Sequence, residues 1–195
     1  MNSEGFQPHT APVRVWPSRR CPDWLLTRLQ TKYLRDPGLR ERYETQWIGG
    51  KDTPYRERVI LRRSPLTSLY LHEFHRSDDP RALHDHPWAS VSILLRGALI
   101  EILGGDVRAD RNGDLVRDTG ARNLPVGSMV YRPAGLLHRL VVPQWLRPGE
   151  SPVSLFLTGP RFRSWGFDCP QGWRHWRDFV DADDTGLIGR GCGEP

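Results

Sequence analysis

The sequence contains little cysteine and no long apolar segment. Its three cysteines, Cys21, Cys169 and Cys192, are odd in number and irregularly spaced, so they do not suggest a disulfide framework. No Cys-x-x-Cys pair is present, which argues against a structural zinc site. No run approaches the roughly 18 apolar residues that a membrane helix needs, so we expect no membrane contact.

The first twenty residues also lack the apolar core of a secretory signal. They have the composition of a polar arm that contains several prolines. A cytoplasmic location is therefore the default prediction.

Lysine is scarce, because Lys32 and Lys51 are the only two and arginine supplies nearly all of the positive charge. The net charge is +5 and the isoelectric point is about 9.5. Compositional bias is one explanation of the positive net charge and the preference for arginine. Binding to an anionic substrate or to a nucleic acid is the alternative. Zinc fingers, basic heptads and basic low-complexity tails are absent, so we expect a small-molecule substrate rather than nucleic acid.

Short β-rich runs dominate the middle of the chain. Turn signals separate them, and the Asn112-Gly113 pair within residues 111–114 predicts a tight hairpin. Many short strands at close spacing favour a sandwich or a barrel, and no alternation of strands and helices suggests a dinucleotide-binding fold. The predicted strands cover residues 59–61, 68–71, 89–95, 98–103, 128–132, 139–142 and 153–158.

Two helices are predicted before these strands. Pro22-Asp23 opens the first, and leucines with one face in common continue it to Tyr33. A second short helix is expected over about residues 39–46. We therefore expect one structural domain in three parts: residues 1–57 as an arm and a helical cap that packs on the barrel and closes one end, 58–160 as the barrel, and 161–195 as a Trp-rich C-terminal wrap with a mobile tail.

Two histidines in the segment His84-Asp85-His86 carry the first functional signal. On a strand, residues i and i+2 point to the same face, so the two imidazoles can chelate one ion. A second segment, residues 127–138, strengthens this interpretation. There a glycine and a Pro-Ala-Gly turn bracket a strand, and His138 follows the turn.

Together these segments resemble the two motifs of the cupin superfamily over about residues 58–158. The resemblance implies an all-β fold, a double-stranded β-helix (jelly-roll) barrel, with His84, His86 and His138 as metal ligands. A homodimer is also an expectation that rests on the resemblance. The matching positions are His84, His86 and Gly97 in the first motif and Gly127, Pro133, Gly135 and His138 in the second.

The chain departs from the cupin pattern at Ser90, which occupies the position of the family's glutamate ligand. The expected ligand set is therefore three neutral imidazoles, similar to the cupin subgroup that includes thiol and diketone dioxygenases. Such a set leaves about three open positions on the ion. Fe(II) is the favoured metal, and Ni, Mn, Co or Zn suit the same ligands. Glu101 is a reserve ligand if its strand faces inward.

Other residues are candidates for the substrate pocket. Tyr70 and His72 share one strand face with Phe74, and if that face is inward they are candidates for substrate contact or proton transfer. The opposite face of the same strand stays the alternative. Asp85 is expected at the surface or in a turn. No spacing selects an arginine from Arg62, Arg96, Arg132 and Arg161. The predicted substrate-binding residues are Trp88, Ser90, Ser92 and Arg96.

Three functions are compatible with this reading. The first is a mononuclear non-haem Fe(II) dioxygenase that acts on a small metal-chelating substrate, anionic or a thiol. The second is an isomerase or epimerase of a sugar or sugar phosphate. The third is a ligand-binding cupin without catalysis, because a fold alone does not settle function.

Overall fold

The computed structural model describes residues 16–50, 52, 54–109, 115–183, 187 and 189–193, with the backbone alone for 106–109 and 115–118. Within these residues three helices are present: α1 (Asp23–Leu34), α2 (Leu39–Arg42) and α3 (Trp176–Phe179). The strands are β1 (Arg19–Arg20), β2 (Thr45–Ile48), β3 (Arg56–Arg63), β4 (Ser68–Phe74), β5 (Leu83–His84), β6 (Ser90–Arg96), β7 (Leu99–Ala109), β8 (Leu115–Leu124), β9 (Ser128–Arg132), β10 (His138–Val141), β11 (Val153–Thr158), β12 (Gly166–Cys169) and β13 (Gly172–His175).

The strands form two antiparallel sheets. The larger has the order β1-β9-β6-β11-β4-β3-β2, and the smaller has the order β13-β12-β5-β10-β7-β8. Strands β4 to β11 alone give the orders β4-β11-β6-β9 and β5-β10-β7-β8, so the chain crosses repeatedly from one sheet to the other. This is the arrangement of a double-sheet jelly roll. It confirms the predicted all-β fold class and, at the level of fold, the resemblance to cupins.

Two apolar clusters hold the larger sheet in place, one on each of its faces. Phe74, Leu94 and Val130 pack between the sheets, against Leu99 and Leu124 of the smaller sheet. Neighbouring residues of a strand point to opposite faces, so the residue after Leu94 lies in the other cluster. That outer cluster contains Cys21, Leu26, Tyr33, Leu39, Val59, Leu71, Leu95 and Val153.

The helical cap covers the outer face of the larger sheet. Leu26 and Tyr33 of α1 are buried in the outer cluster with Leu95, and Gln30 donates a hydrogen bond of 2.8 Å to the Leu95 carbonyl. The expectation that the cap closes one end of the barrel is therefore wrong. The apolar stripe of α1 is buried instead against the outward-facing leucines of the sheet.

The second predicted helix is shorter than expected. It ends at Arg42, and Thr45–Ile48 forms strand β2, antiparallel to β3. Trp47 and Ile48 favour strands, and the backbone of this segment pairs with the otherwise open edge of β3. The segment expected as a cap thus also extends the sheet, and the boundary expected at residue 57 falls within β3 (Arg56–Arg63).

The C-terminal segment extends the smaller sheet. Strands β12 and β13 form a hairpin, and β12 pairs with β5 through Phe167 and His84. Cys169 and Cys192 form a disulfide, a pairing that the odd number of cysteines does not suggest. The predicted hairpin turn at 111–114 and the N-terminal arm up to residue 15 lie outside the described residues. No helix in the described part of the chain has the length and apolar character to cross a membrane.

Candidate metal centre

A cavity of about 740 Å³ lies between the two sheets. Its volume is in the range of small-molecule sites. Apolar and aromatic side chains supply much of its wall, among them Phe156, Trp165 and Phe167. The three histidines of the two sequence motifs line this cavity together.

The backbone brings the histidines together through strand pairing. His84 of β5 and His138 of β10 are directly opposite in the antiparallel ladder, so their side chains emerge next to each other. His86 follows two residues later and faces the same side. The ring centroids lie 4.9 Å apart for His84 and His138, 5.1 Å for His84 and His86, and 5.1 Å for His86 and His138.

The spacing of the ring nitrogens fits a shared metal ion. One ligand atom from each histidine lies within 4.8 Å of the others, and the Nε2 atoms of His86 and His138 are 3.0 Å apart. Two nitrogens that each lie about 2.0–2.1 Å from one ion at a right angle are about 2.9 Å apart. The three-histidine cluster is therefore a candidate site for a divalent metal.

Glu101 fixes the orientation of His138. Its side chain is fully buried, and its Oε1 accepts a hydrogen bond of 2.7 Å from Nδ1 of His138. With the proton on Nδ1, the Nε2 atom of a neutral imidazole keeps its lone pair, which points toward the other histidines. Carboxylates behind metal-bound histidines have this role in many sites.

The carboxylate of Glu101 is itself held by two arginines. Arg132 Nε donates to Oε1 at 2.6 Å, and Arg122 Nε donates to Oε2 at 2.7 Å. Burial raises the pKa of Glu101, but the charge of Arg132 and the hydrogen bond with His138 outweigh it and lower that pKa overall. Glu101 does face inward, as the reserve-ligand hypothesis requires, but its oxygens contact the far side of His138 instead of the cluster centre.

The other two histidines are held in the neutral form. Both rings face the cavity, so part of their surface is open to it, while the surrounding protein removes them from bulk water. Burial lowers the pKa of His84 to about 4 and brings the pKa of His86 well below 6.5. Neutral imidazole is the form that binds a metal.

Of the predicted pocket residues, His72, Trp88 and Ser92 line the cavity. Trp88 stacks on His86 with ring centroids 6.2 Å apart, and its buried Nε1 has no hydrogen-bond partner. His72 is 2% exposed. The inward face of β4 is thus the one that carries His72, as the first of the two alternatives has it. Tyr70 stacks on His72 at 5.6 Å but is not among the residues of the cavity wall.

Two predicted substrate-binding residues lie elsewhere. Arg96 is at the end of β6, where it donates to Glu73 at 2.8 Å and to the Ser151 carbonyl at 3.0 Å. These partners hold its guanidinium away from the cavity wall. Ser90 is buried without a hydrogen-bond partner for its hydroxyl and does not reach the cavity. Neither position supports the contact with substrate that the sequence suggests.

Asp85 is buried, contrary to the expectation of a surface position. It is 3% exposed, and its carboxylate accepts hydrogen bonds from Gly166 N at 2.8 Å, Arg163 Nη1 at 2.7 Å and Trp173 Nε1 at 3.3 Å. The side chain does point away from the two histidines, but the C-terminal hairpin covers that side. Asp85 thereby connects the histidine segment to the C-terminal wrap.

Sequence reasoning missed two arginines in the cavity, Arg56 and Arg58 of β3. They share a strand face, and the register pairs Arg58 with His72 and Arg56 with Phe74. Their i, i+2 spacing was a usable signal, because it places both side chains on one face. Which face that is depends on the pairing with β4, which the sequence alone does not reveal.

No known protein family and no curated protein matches the chain. Streptomyces albus HEPD, solved with 2-hydroxyethylphosphonate and Fe(II) bound, is 14% identical, with a TM-score of 0.45 over 62% of this chain and 25% of that one. Hydroxypropylphosphonic acid epoxidase from S. wedmorenis is 15% identical, with a TM-score of 0.42 over 59% of this chain and 55% of the epoxidase. An RmlC-like cupin from Shewanella frigidimarina NCIMB 400 is 18% identical, with a TM-score of 0.40 over 62% of this chain and 86% of that cupin. The chain thus spans only about half of the epoxidase, and likenesses this weak carry no information on substrate or reaction.

Proposed function

We propose that His84, His86 and His138 bind one divalent metal ion and that the protein is a mononuclear non-haem Fe(II) dioxygenase acting on a small metal-chelating substrate. One observation carries the metal part of this proposal. Nε2 of His86 and Nε2 of His138 are 3.0 Å apart, and Glu101 binds the opposite nitrogen of His138. The lone pairs are therefore set toward a common point inside the cavity.

Ferrous iron, when bound, supplies open coordination positions and an electron source for dioxygen chemistry, which neutral imidazole ligands permit. The protein's own residues hold and enclose the reactants. Glu101 keeps the proton on Nδ1 of His138. Aromatic side chains, Trp165 among them, make part of the wall apolar, which would reduce the water around a bound substrate and strengthen its polar contacts. His72 accepts a hydrogen bond from Arg58 at Nε2, so its own proton is on Nδ1, where it can donate a hydrogen bond.

The first experiment measures metal content by mass spectrometry in the purified protein after Fe, Ni, Mn, Co and Zn are offered separately. We expect near-stoichiometric metal in the wild type and its loss in His138→Ala. His75→Ala is the matched control, because His75 is exposed and does not line the cavity. Wild-type protein that stays metal-free with every ion would overturn the proposal.

The second experiment addresses the reaction. Iron-loaded protein is offered small chelating compounds, including thiols and hydroxy acids, and oxygen consumption is followed with an electrode. Uptake that requires both iron and a chelating compound, and that His138→Ala abolishes, supports a dioxygenase. Metal binding with no oxygen uptake contradicts this reaction and directs attention to metal-assisted isomerisation or to binding alone.

A further inference from the structure

Two positive side chains project from β3 into the cavity. Arg56 and Arg58 are partly buried members of its wall. Arg58 Nε donates to Nε2 of His72 at 3.3 Å, and its guanidinium lies 5.1 Å from the ring centroid of Tyr70. The guanidinium of Arg56 lies over Phe74 at 5.7 Å, and its buried Nε has no hydrogen-bond partner.

Neither of these arginines has a carboxylate partner among the described residues. Asp78 and Asp79 are the carboxylates of the cavity wall, and both have other partners. Asp78 accepts hydrogen bonds from two uncharged donors, the Tyr55 hydroxyl and the Leu140 amide, so its charge offsets at most one of the two arginines, whereas Asp79 pairs with Arg81. Glu57, between the two arginines in the sequence, points to the other face and binds Arg40 at 2.7 Å.

Arg132, on the same cavity wall, differs from Arg56 and Arg58 because it contacts a carboxylate. Its guanidinium contacts the carboxylate of Glu101 at 2.6 Å and also donates to Ser92 at 2.7 Å. Buried charges are normally paired in this way, because an unpaired charge inside a protein is costly. Two like charges at i and i+2 that contact no carboxylate, with the single charge of Asp78 elsewhere on the wall, are therefore an exception that favours a negative occupant.

We propose that Arg56 and Arg58 form an oxyanion subsite that holds a carboxylate or phosphoryl group of the substrate. Guanidinium groups match both groups geometrically and form strong charge-assisted hydrogen bonds with them. With the anion anchored there, another part of the same molecule extends across the cavity to the three histidines. This extension of the substrate to the histidines rests on the proposed function, whereas the subsite itself needs no metal.

The electrostatics of the pair agree with this assignment. Burial, and after it the charge of Arg56, lower the pKa of Arg58 to about 9. The neighbouring His72 adds no charge of its own, because burial and these two charges lower its pKa and favour the neutral ring. An anion between the arginines would offset their repulsion and would satisfy the free Nε of Arg56.

The test uses full-length protein stripped of metal, so that a probe anion has no metal to coordinate. Inorganic phosphate and propionate are titrated separately by calorimetry into the wild type and into Arg56→Met/Arg58→Met. Arg62→Met/Arg63→Met is the matched control, because it removes two exposed arginines from the same strand. We expect the affinity for at least one probe to fall by at least about tenfold in the cavity variant and to stay unchanged in the control.

Thermal unfolding in a buffer free of phosphate and carboxylates tests whether the cavity variant is folded. We expect a Tm for Arg56→Met/Arg58→Met at or above the wild-type value, because two uncompensated charges are gone. The bound probe should raise the Tm of the wild type and the control but not of the cavity variant. Preference for phosphate identifies a phosphoryl group, and preference for propionate identifies a carboxylate.

Two results would overturn the inference: wild-type protein with no saturable binding of either probe, or equal affinity in both double variants. The metal assay is separate from these. Anion binding that depends on Arg56 and Arg58 in a protein whose histidines bind no metal would uphold the subsite and sink the proposed function. Metal binding by the histidines without such anion binding would support the metal site and overturn the subsite.

Discussion

At the scale of single residues, the candidate metal site depends on groups that contact its histidines on the side away from the cluster centre. Glu101 is the clearest, since it is fully buried and contacts His138, Arg132 and Arg122. Its spacing in the sequence gives no sign of this role. A carboxylate so placed controls which nitrogen of the histidine carries the proton, and therefore which one can bind a metal.

Replacing Glu101 with Gln tests this role. We expect metal affinity to fall by about 10–100-fold, because an amide does not hold the Nδ1 proton as a carboxylate does. A competition assay with a chromogenic chelator measures it. Glu73→Gln is the matched control: Glu73 also binds two arginines, Arg40 and Arg96, but lies on the opposite face of β4 from His72. An equal loss in both variants would contradict the role of Glu101.

Tyr55 gives a prediction about pH. Its hydroxyl donates to Asp78, and burial, followed by the charge of Asp78, raises the pKa of Tyr55 above its usual value near 10. The neutral form is thus favoured by folding. Its contribution to stability is fully present below the unfolded-state pKa of about 10 and is lost as the pH rises toward the folded-state pKa.

Urea unfolding at neutral pH and above about pH 10 measures this contribution. Tyr55→Phe should lower stability at neutral pH by about 1–3 kcal/mol, because the Asp78 oxygen loses its donor. Between neutral and alkaline pH, Tyr55→Phe should lose less stability than the wild type does. Tyr43→Phe, at an exposed position, should follow the wild type. If the free energy of unfolding changed with pH in the same way for Tyr55→Phe and the wild type, folding would not raise the pKa of the Tyr55 hydroxyl.

At the scale of elements, the C-terminal hairpin and the histidine segment form one unit. Strand β12 pairs with β5 at His84, and Asp85 binds both Gly166 and Arg163. His84 therefore lies in a strand of only two residues that is supported on both sides, by β10 and β12, and His86 follows directly after it. This support compensates for the small number of hydrogen bonds that so short a strand makes.

A double-mutant cycle on Asp85 and Arg163 measures this coupling. We expect Asp85→Ala to lower the free energy of unfolding by about 3 kcal/mol, since it removes the acceptor of three hydrogen bonds, one of them from a charged donor. The coupling energy with Arg163→Met should lie at about 0.5–3 kcal/mol. Metal affinity should fall in Asp85→Ala as His84 and His86 lose their support. Strictly additive effects on unfolding would contradict the ion pair.

At the scale of the whole molecule, a covalent link closes the C-terminal segment on itself. Cys169 and Cys192 are joined across 23 residues, and they pack with Phe179 and Val180 in a third apolar cluster. Disulfides are typical of oxidising compartments. The cytoplasmic location therefore stays a prediction, which the thiol state of the native protein can test.

The test is to isolate the protein and unfold it in the presence of an alkylating reagent, and to count the alkylated thiols by mass spectrometry. We expect one thiol, that of the buried Cys21, which reacts only after unfolding. Cys169→Ser, Cys192→Ser and the double variant should each lose about 2–4 kcal/mol of stability, and to the same extent, because each removes the same bridge. Three thiols in the native protein would mean that the bridge does not form where the protein is made.

The sequence by itself predicted a sandwich or barrel of short strands from short-range patterns, and the jelly roll with its three histidine ligands was what the resemblance of two local motifs to the cupins implied. Alternation and turn residues define the strands, and His84, His86 and His138 occupy fixed positions in two local motifs. Helix α1 was likewise readable from its apolar spacing. Such features need no knowledge of which strand lies beside which.

Only the tertiary structure decided what surrounds those histidines. Glu101, Asp85 and the pair Arg56 and Arg58 owe their environments to partners far away in the chain, through pairings such as β3 with β4 and β5 with β12. Arg56 and Arg132 are both arginines on the cavity wall, yet only Arg132 meets a carboxylate. A local pattern cannot distinguish them, because charge compensation depends on contacts that the fold alone creates.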